Sequence, residues 1–203
     1  MSGKPGRPPE DRLLRQCEIY RAVAPLLLST GARRLTMRQA ARAACISLGG
    51  LYHYFPTKQE LVLYGVQPDA SARLCLAFHS QNGWLKASDP SRFLAAWVDF
   101  VVDGVSFARP AIQAALELGH VTFWSTLEYG INAGLDDLAE TLDLIVPTSD
   151  VERVQILAQS LRRSLFAGYV DRTLSPYELR QELLATLAEY RSEGSTTRWS
   201  AAG

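Results

Sequence analysis

Hydrogen-bond donors that bind anionic oxygens are concentrated in one short stretch of the chain. Tyr52 and His53 bring a hydroxyl and an imidazole group, and Lys58 brings an ammonium group. Thr36 and Ser47 carry hydroxyls at positions where each is also expected to cap a helix start. Such groups hold phosphate or carboxylate oxygens well, so the elements that carry them decide what they reach.

Residues 35–61, LTMRQAARAACISLGGLYHYFPTKQEL, predict two short helices joined by a tight turn. Thr36 begins the first helix, and residues 45 and 46 form the turn. Ser47 begins the second helix, whose Leu51 and Phe55 are four residues apart and therefore share a buried face. Two short helices joined in this way form a helix-turn-helix, whose second helix enters the DNA major groove.

The helix-turn-helix stretch resembles the DNA-binding signature of TetR-type transcriptional regulators. The resemblance rests on residues 47–55, SLGGLYHYF, followed by Lys58 and Leu61. It implies an all-α chain, in which an N-terminal three-helix helix-turn-helix domain precedes a helical ligand-binding and dimerisation domain. Cys45 departs from the family, which usually has glycine in the turn. A left-handed non-glycine residue costs about 1 kcal/mol, so we expect the turn to be tightened differently here. Upstream, the resemblance includes the core residues of helix one and its terminating glycine: Ile19, Ala22, Val23, Leu27 and Gly31.

The positions that would face DNA divide into backbone contacts and base contacts. At the start of the second short helix, Leu48, Gly49 and Gly50 offer no side-chain hydrogen bond to a base, although Leu48 can touch a thymine methyl and the glycines allow close backbone approach. We therefore expect specificity to come from the first short helix and from DNA shape. Its candidate readers are Arg38, for a guanine, with Gln39 and Arg42. The phosphate contacts that the resemblance implies are Thr36, Ser47, Tyr52, His53 and Lys58.

The chain is neutral overall but strongly polarised. Residues 1–60 hold 10 Lys and Arg against 4 Asp and Glu, a net charge of +6, and residues 61–203 hold 11 against 17, a net charge of −6. A basic end is typical of phosphate contact. The arm at residues 4–9 can lay Arg7 in an adjacent minor groove, or it has no role.

Composition bounds the remaining possibilities. A chain of 203 residues with 47% hydrophobic content can bury a sizeable core. Residues 1–12 lack an apolar signal-peptide core and no apolar run reaches about 18 residues, so we expect a cytoplasmic protein. The three cysteines lack metal-ligand spacing and are expected to be small buried groups. No nucleophile elbow or carboxylate pair is present, so we expect no enzyme activity, no cofactor and no metal.

Helix start and stop signals divide the chain into four segments. We expect an arm over 1–9, the DNA-binding domain over 10–60, an effector-binding and dimerisation domain over 61–193, and a disordered tail over 194–203. Pro25 should kink the first helix, and Arg109 followed by Pro110 should break a later one. The expected helices cover residues 10–29, 36–44, 47–55, 58–67, 70–79, 90–107, 110–118, 122–142, 150–171 and 176–191, with a loop at 81–83.

The middle of the chain is rich in aromatic residues, most of which are ordinary core. Together with nearby polar residues, they can also line an apolar pocket for a small molecule. Such a ligand would act by its different affinity for two arrangements of the DNA-binding domains. The candidate ligand residues are Trp97, Phe100, Val101, Gln113, Glu117, His120, Phe123, Trp124 and Leu127.

The last two predicted helices carry leucines and small residues at helical spacing. The resemblance implies a four-helix dimer interface there, which would place two recognition helices about 34–36 Å apart on a palindromic operator. The alternative is that this face packs on its own domain. The candidate interface residues are Leu157, Leu161, Ser164, Leu165, Gly168, Leu183 and Leu187.

Two functions remain open from the sequence. The first is a ligand-responsive repressor that binds a palindromic operator as a homodimer and is released by an apolar or aromatic small molecule. The second is a DNA-binding protein that a protein partner controls or that acts architecturally, with a filled core and no effector.

Overall fold

The computed structural model describes residues 11–120, 151–171 and 173–200, and six helical residues between 121 and 150. The six are Trp124, Ser125, Glu128, Ile131, Leu135 and Leu138. Every regular element of these described parts is helical, so the all-α expectation is confirmed. The arm at 1–9, the capping box at 149–152 and most of the helix expected over 122–142 involve residues outside the described ones.

Four helices form the N-terminal domain, and local signals begin each of them. The Asp11 carboxylate accepts a hydrogen bond from the backbone N–H of Leu14, and Thr36, Ser47 and Thr57 cap the next three helices in the same way. The first helix continues through Pro25 and ends at Gly31, whose φ is +82°. The helices are α1 (Arg12–Thr30), α2 (Met37–Ala43), α3 (Leu48–Tyr54) and α4 (Lys58–Val62).

A 3₁₀ turn, Tyr64–Val66, leads from α4 into the C-terminal domain. Pro68 stands in the first turn of the next helix, where its missing N–H is not needed. The longest helix, α7, packs against both C-terminal helices and also against α1 and the 3₁₀ turn. The helices of this domain are α5 (Pro68–Asn82), α6 (Leu85–Ser88), α7 (Pro90–Leu118), α8 (Val151–Val170) and α9 (Pro176–Ser200).

The expected break at residues 109 and 110 was wrong, because α7 is continuous from Pro90 to Leu118. Proline removes one helical hydrogen bond and disfavours the preceding turn. Packing outweighs this local cost, since Pro110 is buried and Arg109 is held by the carbonyls of Gly168 and Leu174, at 2.7 and 2.9 Å.

Three smaller expectations also need correction. Residues 81 and 82 belong to α5 and only the next two form a turn. The backbone of residues 194–200 continues α9, although this tail was expected to be disordered; extending an existing helix fixes one residue for each bond gained, so a polar sequence can follow it. Of the three cysteines, Cys17 is buried as expected, whereas Cys45 and Cys75 are exposed, because a turn and an outer helix face carry them.

The core has two parts, and α7 contributes to both. Its first half, including Phe93 and Trp97, packs with the leucines of α8 and α9. Its second half sends Phe107 and Ala111 into the core of the N-terminal domain, beside Tyr20. A single continuous helix therefore contributes to the core of both domains.

Candidate nucleic-acid interface

The first helix of the motif, α2, begins with a complete capping box. The Thr36 hydroxyl accepts a hydrogen bond from the Gln39 N–H at 3.2 Å, and the Gln39 side chain accepts one from the Thr36 N–H at 2.9 Å. The side-chain oxygen of Gln39 is therefore already bonded within the helix start, which leaves it less able to hydrogen-bond a base. Arg38 and Arg42 are exposed on the same helix, and their guanidinium groups make no hydrogen bond or ion pair with any other described residue.

The turn between α2 and α3 closes on a left-handed residue. Cys45 has a φ of +53°, and it is the only non-glycine residue with positive φ among those described. The N–H of Cys45 donates to the Arg42 carbonyl at 3.1 Å, and the N–H of Ile46 donates to the Ala41 carbonyl at 3.0 Å. These bonds satisfy the end of α2 in the manner of a glycine cap. Cysteine thus adopts the geometry of the usual glycine.

Hydrogen bonds hold the recognition helix, α3, at both of its ends. The Ser47 hydroxyl accepts from the Gly50 N–H at 3.0 Å, and Leu51 is fully buried. At the other end, the Arg12 guanidinium donates to the His53 carbonyl at 3.2 Å, and the Gln16 amide donates to the Tyr54 carbonyl at 2.8 Å.

Arg12 and Gln16 are not among the site residues that the sequence predicted. Their only signal is a spacing of four residues on α1. They satisfy carbonyls at the open end of α3, which has no later turn to satisfy them. The bond acceptors are backbone atoms 41 and 38 residues away, and a sequence gives no sign of such a partner.

The outward surface of α3 is nearly bare at its start. A Cβ built at Gly49 would meet nothing within 4 Å, whereas one at Gly50 would lie 3.1 Å from the Ser47 hydroxyl. Leu48 is half-buried, and Tyr52 and His53 are exposed at the end of the helix. The His53 ring meets the Tyr54 ring edge-on, with 5.1 Å between centroids. Backbone is thus accessible at one end of α3, and polar rings are accessible at the other.

Lys58 lies in the first turn of α4, beside the motif. Its ammonium group donates to the Arg33 carbonyl at 3.1 Å, which uses one of its three donors. Thr57 caps this helix through the Glu60 N–H at 3.1 Å. Thr36, Ser47, Tyr52, His53 and Lys58 all lie in or beside one compact motif, whose contacts with DNA stay predictions.

The candidate ligand residues do not form one site. Trp97 is 2% exposed within the core, and Phe100 stacks on Phe78 with 4.6 Å between ring centroids. Glu117 is 20 residues further along the same helix, about 30 Å away at 1.5 Å per residue. Its carboxylate contacts the loop after α1. Glu117 therefore belongs to the junction between the domains and not to a pocket around Trp97.

The remaining ligand candidates are spread along the same helix and beyond it. Gln113 donates to the Val170 carbonyl at 3.4 Å, and His120 follows the end of α7. Val101 lies at the edge of the C-terminal core, as does Trp124, whose ring stacks on Phe166 with 5.7 Å between centroids. Phe123 and Leu127 are outside the described residues.

The candidate dimer residues are buried within a single chain, which was the alternative left open. Leu161 and Leu183 are fully buried, and Ser164 donates to the Glu182 carboxylate. A Cβ at Gly168 would lie 2.8 Å from Leu179, so its missing side chain serves packing of α9 on α8. Helical spacing identified an apolar face correctly but not which partner covers it. The residues concerned are Leu157, Leu161, Ser164, Leu165, Gly168, Leu183 and Leu187.

Neither a metal-binding cluster nor a membrane-spanning helix occurs among the described residues. No group of three His, Cys, Asp or Glu is close enough to hold a metal ion. None of the described helices combines the length and the apolar character that a membrane crossing needs.

A capped helix, a left-handed turn and a second helix with exposed donors form a helix-turn-helix, the motif by which one class of DNA-binding proteins enters the major groove. Residues 19–64 match the model of bacterial regulatory proteins of the tetR family. Over these residues the chain is therefore similar to the DNA-binding region of TetR-family transcriptional regulators. No curated protein matches the sequence.

Solved structures share the fold along most of the chain. One is described as a TetR-family transcriptional regulator from Mesorhizobium loti, with a TM-score of 0.54, 13% identity, and coverage of 90% of this chain and 98% of that one. Another is described as a transcriptional regulator from Pseudomonas aeruginosa, with a TM-score of 0.52, 16% identity, and coverage of 91% and 93%. At these identities, the likeness extends to the architecture of both domains.

Proposed function

We propose that the protein is a repressor that binds a palindromic operator as a homodimer and changes its DNA affinity when a small molecule binds. The observation that carries the proposal is the orientation of the motif, in which α3 is held by Arg12 and Gln16 while its outer surface stays open. Positions held in this way lose little entropy on binding, which favours affinity.

Operator recognition divides between the two motif helices. Thr36, Ser47, Tyr52, His53 and Lys58 hold phosphates and set the register. Leu48, Gly49 and Gly50 bring the start of α3 close to the groove floor without hydrogen bonds to bases. Arg38 and Arg42 supply direct readout, at about 1–3 kcal/mol of discrimination for each bidentate contact. Gln39 contributes less, because its amide is held in the capping box.

Dimerisation uses the outer faces of α8 and α9, because their leucine faces are buried in the core. Ile156 and Phe166 are 58% and 46% exposed on α8, and Tyr177 is 71% exposed on α9. Three large apolar side chains exposed on two neighbouring helices are typical of a surface that packs against a partner. A two-fold dimer also doubles the phosphate contacts of one small domain.

Selection of bound duplexes from a random pool tests this function directly. We expect an inverted repeat with half-sites about one helical turn apart, and protection of those half-sites in footprinting at low ionic strength. Recovery of unrelated sequences, or no protection, would refute operator binding. Size measurement of the free and DNA-bound protein gives the stoichiometry, for which we expect two chains per operator.

The second candidate, a regulator without a small-molecule effector, is favoured by the packing around Trp97. This ring is 2% exposed, and its neighbours Phe93 and Val98 are fully buried. Thermal stabilisation by apolar aromatic compounds distinguishes the two, since a ligand at 100 times its dissociation constant stabilises by about 2.7 kcal/mol. An effector predicts such a shift together with loss of operator affinity, and a filled core predicts neither.

A further inference from the structure

After α1 the chain makes a turn in which two neighbouring N–H groups are not used by the helix. Gly31 has a φ of +82° and a ψ of 155°, and its N–H closes the helix on the Leu27 carbonyl. The next two N–H groups, of Ala32 and Arg33, then point to the same side. Successive N–H groups after a residue of positive φ form a small concavity that binds anions.

The carboxylate of Glu117 occupies this concavity. It accepts from the Ala32 N–H at 2.7 Å and from the Arg33 N–H at 2.9 Å. A Cβ at residue 31 would lie 3.0 Å from one of its oxygens, so the carboxylate would have to shift by a few tenths of an ångström, and the positive φ favours glycine at this position. Glu117 is 85 and 84 residues from these partners and stands at the end of α7.

Arg33 extends the contact in both directions. Its guanidinium donates back to the Glu117 carbonyl at 2.9 Å, and its own carbonyl accepts from the Lys58 ammonium at 3.1 Å. One short segment therefore touches the end of α7 on one side and the predicted phosphate-binding lysine on the other.

A second link between α7 and α1 is of a weaker kind. Arg21 and Asp103 form a bidentate pair at 2.7 and 3.0 Å, but their side chains are 44% and 53% exposed. Exposed ion pairs contribute little, because water screens them and both side chains lose entropy. The Glu117 carboxylate instead accepts hydrogen bonds from backbone N–H groups in the loop between α1 and α2.

We propose that Glu117 is a positioning residue for DNA binding, whose carboxylate in the Ala32–Arg33 turn fixes the orientation of the helix-turn-helix relative to α7. This inference rests on the proposed DNA-binding function and names how that site is held. Because α7 also forms the C-terminal core, displacement of that core moves Glu117 and thereby the motif. Glu117 touches no DNA in this arrangement.

Removing the charge of Glu117 separates positioning from contact. In E117Q the side chain keeps its shape, but one N–H of the turn faces an amide NH₂ instead of an acceptor. The orientation of the motif is then no longer fixed in the free protein, so binding to DNA must pay the entropy cost of fixing it. We expect operator affinity to fall about tenfold, which lies within the usual range of coupling between sites. The salt dependence should stay unchanged, since the same phosphates are neutralised.

E18Q is the matched control, since it also replaces one glutamate carboxylate by an amide. Among the described residues, Glu18 pairs with Arg15 on the surface of α1, at 2.7 Å. We expect less than a twofold effect from this change. E117D keeps a charge and two acceptor oxygens on a shorter stem, and should restore affinity to within about threefold of the parent.

Spin labels on the two exposed cysteines give a distance measurement that a change in stability alone would not alter. Spin labels on Cys45 in the turn and Cys75 on α5 report the distance between motif and C-terminal domain, while Cys17 is buried. Labelled chains are diluted into unlabelled protein, so that each distance is within one chain. We expect E117Q to broaden this distance distribution and E18Q to leave it narrow.

The outcomes separate the two proposals. Parent protein that binds its selected duplex, together with E117Q of equal affinity and equally narrow distances, refutes the positioning role and leaves DNA binding intact. Weaker binding by E117Q with unchanged distances also refutes it, because the loss then has another cause. If the parent protein selects no duplex, the proposed function fails, while the distance measurement still tests whether Glu117 fixes the orientation of the helix-turn-helix relative to α7.

Discussion

Replacing Gly49 by alanine should stabilise the protein and weaken DNA binding at the same time. Gly49 lies in the first turn of α3, and a Cβ there meets nothing within 4 Å. The new methyl group therefore has no protein atom to collide with. Alanine in a helix is more favourable than glycine by roughly 0.5–1 kcal/mol, so the free energy of unfolding should rise by about that amount.

The same methyl group should obstruct the operator. If the glycines of α3 allow close backbone approach to the groove floor, a methyl group on that surface fills the space that a base edge needs. We expect at least a tenfold rise in Kd, equivalent to about 1.4 kcal/mol. Urea denaturation and titration of the selected duplex measure the two quantities on one preparation.

Gly104 provides the control for this experiment. It also lies within a helix, α7, and a Cβ there likewise meets nothing within 4 Å. G104A should be stabilised by a similar amount and bind DNA as the parent does. Equal affinity of G49A and G104A would refute close approach through Gly49, and destabilisation of G49A would contradict the open geometry of α3.

Other perturbations test neighbouring parts of the account. Lys58→Ala should weaken binding to all duplexes alike and reduce the salt slope by about one, and an unchanged slope would remove Lys58 from the phosphate contacts. Arg38→Ala should relax preference at one operator position, whereas uniform weakening would make it a phosphate contact. Changing both Ile156 and Phe166 to Glu should give folded monomers that bind a half-site weakly, and a persistent dimer would place the interface elsewhere. Burial, with a smaller electrostatic contribution from the nearby Cys75, raises the pKa of Tyr169 from 10.0 to about 12. The contribution of this phenol to the free energy of unfolding is therefore fully present below pH 10 and is lost as the pH rises from 10 to 12. Tyr169→Phe should make that fall shallower, which alkaline denaturation checks, and an identical pH profile would show that this phenol does not titrate on unfolding.

Local physics made the DNA-binding motif predictable from sequence. The caps at Thr36, Ser47 and Thr57 act over three residues, so their signal lies within one turn of chain. Cys45 was an exception, because its residue type predicted a turn tightened in another way, whereas the structure keeps the left-handed geometry with a φ of +53°. The buried face of α3 follows in the same way from a spacing of four residues.

Pro110 and the leucines of α8 show where such reasoning fails. A proline predicts a helix break because only the local cost is visible in the sequence, yet the packing of α7 outweighs that cost. An apolar stripe such as the one through Leu161 predicts burial but not the partner. Whether the stripe is covered by the same chain or by a second copy depends on how all the other helices pack.

The sequence by itself determined the class of fold and the DNA-binding motif, because helix caps, turn geometry and apolar spacing act between near neighbours. Only the tertiary structure decided the role of Glu117, which the sequence grouped with a distant tryptophan. Its carboxylate meets N–H groups more than 80 residues away. Backbone groups are the same at every position of a sequence, so only the folded chain reveals which of them a charged side chain reaches.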